Sequence, residues 1–229
     1  MATTGERQGR LVLIRHGATS WSQSGRHTGL TDLELTPEGE QAASALREPL
    51  AAYDFAVVRT SPLRRAARTA ELAGLQATPD PRLVEWDYGG YEGLTTPQIR
   101  ERTGTDWTVF DDGVVPGSTP GETIADVAAR ARAVLDDVDP QLAHGDVALV
   151  AHGHLLRVLA AVRLGRPPQL AAQLMLDAAA ICVLADHRGR AAIERWNHVQ
   201  HPGVGTSGST AHRERLTRPT DHPPAQPIE

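Results

Sequence analysis

Three short apolar segments, each the length of a β-strand, limit what this chain can fold into. They lie at residues 11–14, 55–58 and 147–151, and each is followed by a loop and then by a segment with helical features. Segments that are apolar on both faces and alternate with helices are typical of a parallel sheet covered on both sides. The predicted fold class is therefore α/β, a three-layer α/β/α arrangement with a mostly parallel central sheet.

Local signals place helices and two further strands around these segments. The sequence Thr-Pro-Glu at residues 36–38 predicts a helix that runs to about residue 52. Ser-Pro at 61–62 predicts a helix over 63–73, and Thr-Pro at 119–120 predicts one that runs to about residue 137. Residues 180–185 and 191–196 flank an Asp-His-Arg-Gly sequence, which predicts a strand pair around a tight turn.

Composition sets the expected domain boundaries. Residues 201–229 contain five apolar residues and five prolines, too little apolar surface to offset the entropy of ordering, so we predict a disordered tail. We expect a flexible N-terminus at residues 1–9 and one folded domain at 10–200. No segment approaches the roughly 20 apolar residues of a membrane helix, and no apolar leader follows Met1. We therefore expect a cytoplasmic protein without a membrane partner.

Charge and cysteine content exclude several classes of function. The net charge of -5 disfavours nucleic acid as a partner, whereas a homodimer is left open. The single cysteine, Cys182, allows neither a disulfide framework nor a Cys-based zinc site and is expected to fill the core. The chain has no lysine, so all 23 basic residues are arginine, and any one arginine is weak evidence of function.

Two histidines follow two of the predicted strands in the same way. Arg15, His16 and Gly17 follow the first strand, and His152 and Gly153 follow the last. The carboxyl ends of parallel strands meet at one sheet edge, where ligands bind, so we expect the two histidines to lie together. The middle strand leads to a predicted helix whose first turns contain three arginines, at positions 64, 65 and 68. Helix N-termini and arginines bind anions, so this edge suits a phosphoryl group.

Each feature also has a plainer interpretation when taken alone. A histidine after a strand often makes only a structural hydrogen bond, and the three arginines suit a solvated helix face. His152 and His154 provide half of a metal site, but no third ligand accompanies them in the sequence. We therefore predict no metal. Only the combination of these features favours phosphate chemistry.

Further motifs extend this pattern in a fixed order. They are LIRHGAT (13–19), GRHTGLTD (25–32), LTPEGEQA (35–42), TSPLRRA (60–66), LVE (83–85) followed by Gly89 and Glu92-Gly93, GET (121–123) and VAHG (150–153). Over about residues 10–200, the set resembles the histidine phosphatase superfamily, which includes cofactor-dependent phosphoglycerate mutases and many phosphatases. The resemblance implies the mutase-like three-layer fold and phosphoryl transfer to a histidine, with no cofactor for hydrolysis.

The resemblance also implies individual roles. His16 is the expected nucleophile, and its attacking nitrogen is available when the other ring nitrogen donates to a backbone carbonyl, which the glycine turn can supply. Glu85 is the expected proton donor to the leaving oxygen. His152 is the third expected catalytic residue and shares the phosphate clamp with two arginines. The expected substrate contacts are Arg15, Arg65, Gly17, Thr19, Arg26 and Gly153.

Some neighbouring residues are expected to have structural roles. Arg64 should point about 100° away from Arg65 around the helix and face solvent. For the aromatic residues after Glu85, which are Trp86, Tyr88 and Tyr91, two roles are open. They shape a substrate mouth, or they pack the loop against the next helix.

The resemblance favours a phosphomonoesterase that hydrolyses small phosphorylated metabolites, sugar phosphates among them. The main alternative is a cofactor-dependent phosphoglycerate mutase. Mutases of the family resemble Trp-Asn where this chain has Trp21-Ser22, and they have a longer insertion than the 67 positions between Glu85 and His152. A non-catalytic phosphate-binding module is the alternative of another class, but such a module needs neither His16 nor Glu85.

Overall fold

The computed structural model describes residues 9–200. The predictions for the N-terminus, apart from Gly9, and for the tail at 201–229 therefore lie outside the described residues. Within the described part the strands are β1 Leu11–Arg15, β2 Phe55–Thr60, β3 Thr78–Pro79, β4 Asp146–Ala151, β5 Ile181–Asp186 and β6 Ala191–His198. The helices are α1 Ser20–Gln23, α2 Pro37–Ala45, α3 Arg47–Leu50, α4 Arg64–Leu72, α5 Thr96–Thr103, α6 Ile124–Val138 and α7 Gly153–Arg163.

The strands form one mixed sheet in the order β3-β2-β4-β1-β5-β6. The first four strands in this order are parallel, whereas β5 runs antiparallel to β1 and β6 antiparallel to β5. All three apolar segments are strands, and the predicted pair around the tight turn is β5 and β6. The short edge strand β3 was not predicted, because Thr78 and Pro79 are exposed and give no apolar signal.

Alternate residues of the central strands enter two separate cores. Leu11 and Leu13 of β1 pack in the core that includes α6 and α7, whereas Val12 and Ile14 pack in the core that includes α3 and α4. This alternation produces the predicted three-layer α/β fold. Cys182 of β5 is buried in the first core, as expected. No helix within residues 9–200 has the length and apolar character needed to cross a membrane.

The helix predicted over residues 36–52 is interrupted. The start is as predicted, since the Thr36 hydroxyl accepts a hydrogen bond from the backbone N–H of Gly39 at 3.1 Å. However, α2 ends at Ala45 and the separate helix α3 follows. Pro49 has no N–H, and its ring would clash with the carbonyl of Ala45 in a continuous helix, which explains the break.

Two other helix starts were predicted too early. α4 begins at Arg64, and Ser61 is not its N-cap. α6 begins after Thr123, which forms a reciprocal capping box with Asp126, four residues beyond the start predicted from Thr119. In both places the residue before a proline gave the same signal as a cap but belongs to the preceding loop.

The topology brings the two histidine motifs together. β1 and β4 are neighbours, with Arg15 opposite Ala151 in register. The backbone N–H of His16 donates to the carbonyl of Ala151 at 2.9 Å, which continues the ladder by one residue. The ring centroids of His16 and His152 therefore lie 5.1 Å apart.

Candidate active site

A cavity of about 170 Å³ opens at this edge of the sheet. Five of the residues predicted from the sequence line it: Arg15, His16, Arg26, Glu85 and Gly153. Four others are buried and do not line the cavity, namely Gly17, Thr19, Arg65 and His152. The structure thus separates the predicted site residues into those that face a ligand space and those that support them.

His16 is held as a neutral imidazole with one free nitrogen. Its Nδ1 lies 2.7 Å from the carbonyl oxygen of Gly17, which only accepts, so Nδ1 carries the proton and donates it. Burial lowers the pKa of His16 well below its usual value, and the positive charges of Arg15 and Arg65 lower it further. The Nε2 lone pair is therefore available as a nucleophile, with the tautomer set by the glycine turn as the sequence predicted.

His152 is fixed by two side chains. Its Nδ1 accepts a hydrogen bond from Nε of Arg65 at 3.1 Å, so its proton resides on Nε2, which donates to the Ser61 hydroxyl at 2.8 Å. Burial is the largest cause that lowers the pKa of His152 well below its usual value, followed by the charge of Arg65. The sequence indicated Ser61 only as part of the start of a helix, whereas its hydroxyl supports the site through this hydrogen bond.

Arg65 holds the loop at residues 28–31 in place. Besides its bond to His152, its two terminal nitrogens donate to the carbonyl oxygens of Thr28, Gly29 and Thr31. These four bonds use four of the five guanidinium protons and leave one for a ligand. Arg65 is fully buried, so its charge acts on the site from within the protein.

The other two arginines of the same helix face away from the site. Arg64 is exposed, as predicted, and forms an ion pair with Glu34. Arg68 forms ion pairs with Glu40 and Glu71 on the surface. The structure therefore selects one arginine of the three for the site, and the other two form the solvated face that the plainer interpretation described.

Gly17 and Thr19 have structural roles in the free protein. The backbone N–H of Gly17 donates to the Thr69 hydroxyl at 3.0 Å. A Cβ on Gly17 would lie 2.4 Å from the carbonyl oxygen of Gly39, so only glycine allows this close approach of the two backbones. Thr19 is fully buried and caps α1.

The carboxylate of Glu85 accepts three backbone N–H bonds. One oxygen accepts from Trp86 at 3.0 Å and from Leu155 at 2.9 Å, and the other accepts from His154 at 2.9 Å. Residues 154 and 155 belong to the first turn of α7, where free N–H groups and the helix dipole favour a negative charge. The oxygen bound to His154 accepts one hydrogen bond, and Glu85 lines the cavity.

Arg15 lies against the start of α7. Its Nη1 donates to the carbonyl of Leu176, and its buried Nε has no hydrogen-bond partner among the described residues. A Cβ on Gly153 would lie 3.3 Å from both Nε and Cζ of Arg15, so glycine at this position gives the guanidinium its space. The unpaired N–H and the buried charge make Arg15 the side chain best prepared to receive an anion.

The three aromatic residues after Glu85 divide between the two predicted roles. Trp86 and Tyr91 are buried in the core against Phe110 and Trp107, respectively. Tyr88 lines the cavity, and its hydroxyl is hydrogen-bonded to Nδ1 of His154.

Two histidines and an arginine of the cavity wall were not predicted as site residues. His27 and His154 stack with ring centroids 5.7 Å apart, and Arg157 lies one turn further along α7. Burial lowers the pKa of His27 to about 4 and that of His154 well below its usual value, so both are neutral near pH 7. Arg157 follows Gly153 by four residues, so a helical wheel would have placed both on one face of the helix.

The histidine pair considered for a metal is engaged elsewhere. Nδ1 of His154 is hydrogen-bonded to the Tyr88 hydroxyl, and the ring of His152 is hydrogen-bonded to Arg65 and Ser61. Within residues 9–200, no three His, Cys, Asp or Glu side chains are grouped as a metal site would require.

A neutral histidine, a carboxyl group and buried arginines at the edge of an α/β sheet define a phosphoryl-transfer enzyme. The chain belongs to the histidine phosphatase superfamily (branch 1), whose family model matches residues 11–199. The expected family and fold class are thereby confirmed.

The relatives of this chain include both phosphatases and phosphoglycerate mutases. The chain is 44% identical over 158 residues to an acid phosphatase of Mycobacterium tuberculosis, covering 68% of this chain and 75% of the relative. It is 33% identical over 183 residues to the sedoheptulose 1,7-bisphosphatase of Saccharomyces cerevisiae, covering 68% of each. A 2,3-bisphosphoglycerate-dependent phosphoglycerate mutase of Rhizobium etli is 37% identical over 169 residues, covering 67% of this chain and 79% of the mutase.

The fold agrees with these relatives. The solved structure of a protein encoded by an open reading frame of Mycobacterium tuberculosis superposes on this chain with a TM-score of 0.80 at 37% identity. The superposition covers 85% of this chain and all of that one. The chain is therefore a histidine phosphatase, and the sequence-based expectation of an enzyme of this class is confirmed.

Proposed function

We propose that this protein is a metal-independent phosphomonoesterase that transfers the phosphoryl group of a small metabolite to Nε2 of His16 and then to water. The observation that supports this most directly is the tautomer of His16. Its Nδ1–H donates to the Gly17 carbonyl, and burial keeps the ring neutral, so the lone pair of Nε2 is free. A protonated imidazole has no lone pair for the attack.

The first step breaks the ester bond. Nε2 of His16 attacks phosphorus, the P–N bond forms, and the P–O bond to the leaving alcohol breaks. Glu85 gives a proton to the departing oxygen, so the product is an alcohol rather than an alkoxide. Arg15, with Arg65 and His152 behind it, offsets the negative charge that spreads over the phosphoryl oxygens.

The second step returns the enzyme to its starting state. A water molecule attacks phosphorus, its proton passes to the Glu85 carboxylate, and the P–N bond breaks to release inorganic phosphate. In both steps the charges that a metal would provide come from the arginines. Gly153 and Arg26 line the same space and are the remaining proposed substrate contacts. Gly17 and Thr19 contribute by fixing the backbone of the loop that follows His16.

Small phosphorylated metabolites, sugar phosphates among them, are the proposed substrates. A cavity of about 170 Å³ suits a molecule of this size. A relative named as a sugar bisphosphatase and another named as an acid phosphatase are consistent with this range. Because mutases are also relatives, the preference for hydrolysis rests on the sequence departures at Trp21-Ser22 and in the short segment between Glu85 and His152.

The experiment that tests the proposal traps the phosphoenzyme. The protein is mixed with labelled substrate and quenched, and we expect a phosphoprotein that is acid-labile and base-stable. His16→Ala should abolish labelling, whereas His187→Ala, in the exposed β5–β6 turn, should retain it. Hydrolysis of p-nitrophenyl phosphate should be unchanged by EDTA. Turnover without a phosphohistidine, or loss of turnover on chelation, would contradict the mechanism.

A further inference from the structure

The loop at residues 174–180, which leads into β5, lies against the backbone of the nucleophile. The backbone N–H of Ala179 donates to the carbonyl of His16 at 3.1 Å. The carbonyl of Leu176 accepts a hydrogen bond from Nη1 of Arg15, and Leu176 also lines the cavity. Within residues 9–200 this carbonyl is the one acceptor that the Arg15 guanidinium has. The path of the loop therefore decides where that guanidinium points.

The loop has a conformation that its own sequence does not favour. It contains no glycine, yet the buried Ala179 has a φ of 55°, in the left-handed region that a Cβ makes unfavourable. Two other non-glycine residues within 9–200 have a positive φ, Arg188 and Asn197. Arg188 lies in the two-residue β5–β6 turn, which requires such values. The outlier at Ala179 has no turn to explain it, so contacts from outside the loop must hold it.

These contacts come from two adjacent residues of β6. Oδ1 of Asn197 accepts from the backbone N–H of Asp177 at 2.7 Å, and its Nδ2 donates to the Asp177 carboxylate at 2.9 Å. Nε1 of Trp196 donates to the carbonyl of Met175 at 2.6 Å. The bonded loop residues are thus the two neighbours of Leu176, whose carbonyl holds Arg15. The clamp is placed where it controls that carbonyl.

A β-bulge turns the clamp toward the loop. Residue 183 pairs with 195 and residue 181 with 198, so β6 has two residues between these pairs where β5 has only Cys182. The backbone N–H of Asn197 donates to the sulfur of Cys182 at 3.2 Å rather than to a carbonyl of the ladder. Asn197 has a φ of 52°, a value that asparagine tolerates better than most residues. Bulges of this kind re-aim side chains next to active sites.

We propose that the side chain of Asn197, bonded to Asp177, positions Arg15 for phosphoryl transfer. It does so through the loop, because the carbonyl of Leu176 orients the guanidinium. Asn197 is a positioning residue and does not itself line the cavity. The inference rests on the proposed function, since it assumes that Arg15 receives the phosphoryl group beside His16.

The main test removes the side chain and keeps the backbone. Asn197→Gly accepts the left-handed conformation and loses both bonds to Asp177. We expect kcat/KM for p-nitrophenyl phosphate to fall about tenfold or more, since a displacement of 1 Å can cost about 10²-fold. The inhibition constant of inorganic phosphate should rise as well, because phosphate binds the same guanidinium. Both are measured well below the melting temperature. A purely structural role would lower the melting temperature and leave both constants of the folded protein unchanged.

An exchange of the two side chains tests the pair itself. Asn197→Asp suits the same backbone but sets two carboxylates against each other, so kcat/KM should fall at least as far as in Asn197→Gly. Adding Asp177→Asn to that variant places an amide opposite the new carboxylate and allows both bonds to form again. The double variant should regain most of the lost kcat/KM, a coupling that independent sites do not show. Asp177→Ala removes one of the two bonds at an exposed position and should cause a smaller fall.

Asp186→Ala is the matched control. Its Oδ1 accepts from the backbone N–H of Gly189 at 2.8 Å in the turn of the same hairpin, outside the cavity. This variant should leave kcat/KM and the inhibition constant of phosphate unchanged.

The outcomes separate the two proposals. Unchanged constants in folded Asn197→Gly, or a double variant no more active than Asn197→Asp, would overturn the positioning role and leave the proposed function intact. The absence of phosphate release from p-nitrophenyl phosphate by the unsubstituted protein would overturn the proposed function and this inference with it.

Discussion

Replacing Glu85 by glutamine separates proton transfer from binding. The glutamine has nearly the same shape but has no acidic proton to give. General acid catalysis accelerates reactions by about 10²–10⁴-fold when the leaving group is poor. We therefore expect kcat/KM for glycerol 3-phosphate to fall by that factor in Glu85→Gln, while kcat/KM for p-nitrophenyl phosphate falls far less, because nitrophenolate leaves without protonation.

The structure also sets the stability cost of this change. The amide oxygen can keep the bonds from Trp86 and Leu155, but the amide NH₂ then faces the N–H of His154, and two donors cannot bond. A buried unpaired N–H costs about 1–3 kcal/mol. At roughly 2–4 °C per kcal/mol for a domain of this size, the melting temperature should fall by about 2–12 °C. The assay must therefore run well below the melting temperature of the variant.

Glu92 provides a matched control. Its carboxylate accepts backbone N–H bonds from Gly29 and Thr31, yet Glu92 does not line the cavity. Glu92→Gln should affect both substrates to the same degree. Equal slowing of both substrates by Glu85→Gln would place Glu85 in binding or folding. The same substrate selectivity in Glu85→Gln and Glu92→Gln would refute the assignment of Glu85 as the general acid.

Three other predictions follow from the site. Gly153→Ala should raise KM for p-nitrophenyl phosphate about tenfold, because the new Cβ lies 3.3 Å from Arg15 Cζ and displaces it; an unchanged KM would refute this. The free energy of unfolding should fall as the pH drops from about 6.5 to about 4, because His27 binds a proton in the unfolded chain but stays neutral in the folded protein. The shift in its pKa to about 4 corresponds to roughly 3 kcal/mol. Thermal unfolding across this pH range should show a shallower slope for His27→Gln than for the wild type. With 3-phosphoglycerate and catalytic 2,3-bisphosphoglycerate, phosphate should be released with negligible 2-phosphoglycerate; rapid isomerisation would favour the mutase alternative.

The sequence predicted the sheet well because its signals are local. Residues 11–14, 55–58 and 147–151 are apolar on both faces, which only a strand covered on both sides accommodates. Helix boundaries were less predictable. The break after Ala45 follows from Pro49, whose ring a continuous helix does not accommodate, whereas the late start of α6 depends on which threonine finds a partner, Thr123 with Asp126.

The resemblance supplied the candidate residues, but it did not say how each is used. Arg65 donates to three loop carbonyls and to His152, and Ser61 supports the same histidine rather than capping a helix. These contacts join residues that are 34 to 91 positions apart. No periodicity or motif encodes such a pairing, because it depends on the path of the loop.

The sequence by itself determined the three apolar strands with the helices that follow them, the two histidine motifs and the family, since these depend on local pattern and on motif order. The tertiary structure decided which groups share the cavity. The parallel pairing of β1 with β4 brings His16 to His152, and the placement of α7 brings its free N–H groups to Glu85 and Arg157 to the cavity wall. Charge, tautomer and burial arise only from such juxtaposition, because the pKa of a group depends on what surrounds it in space.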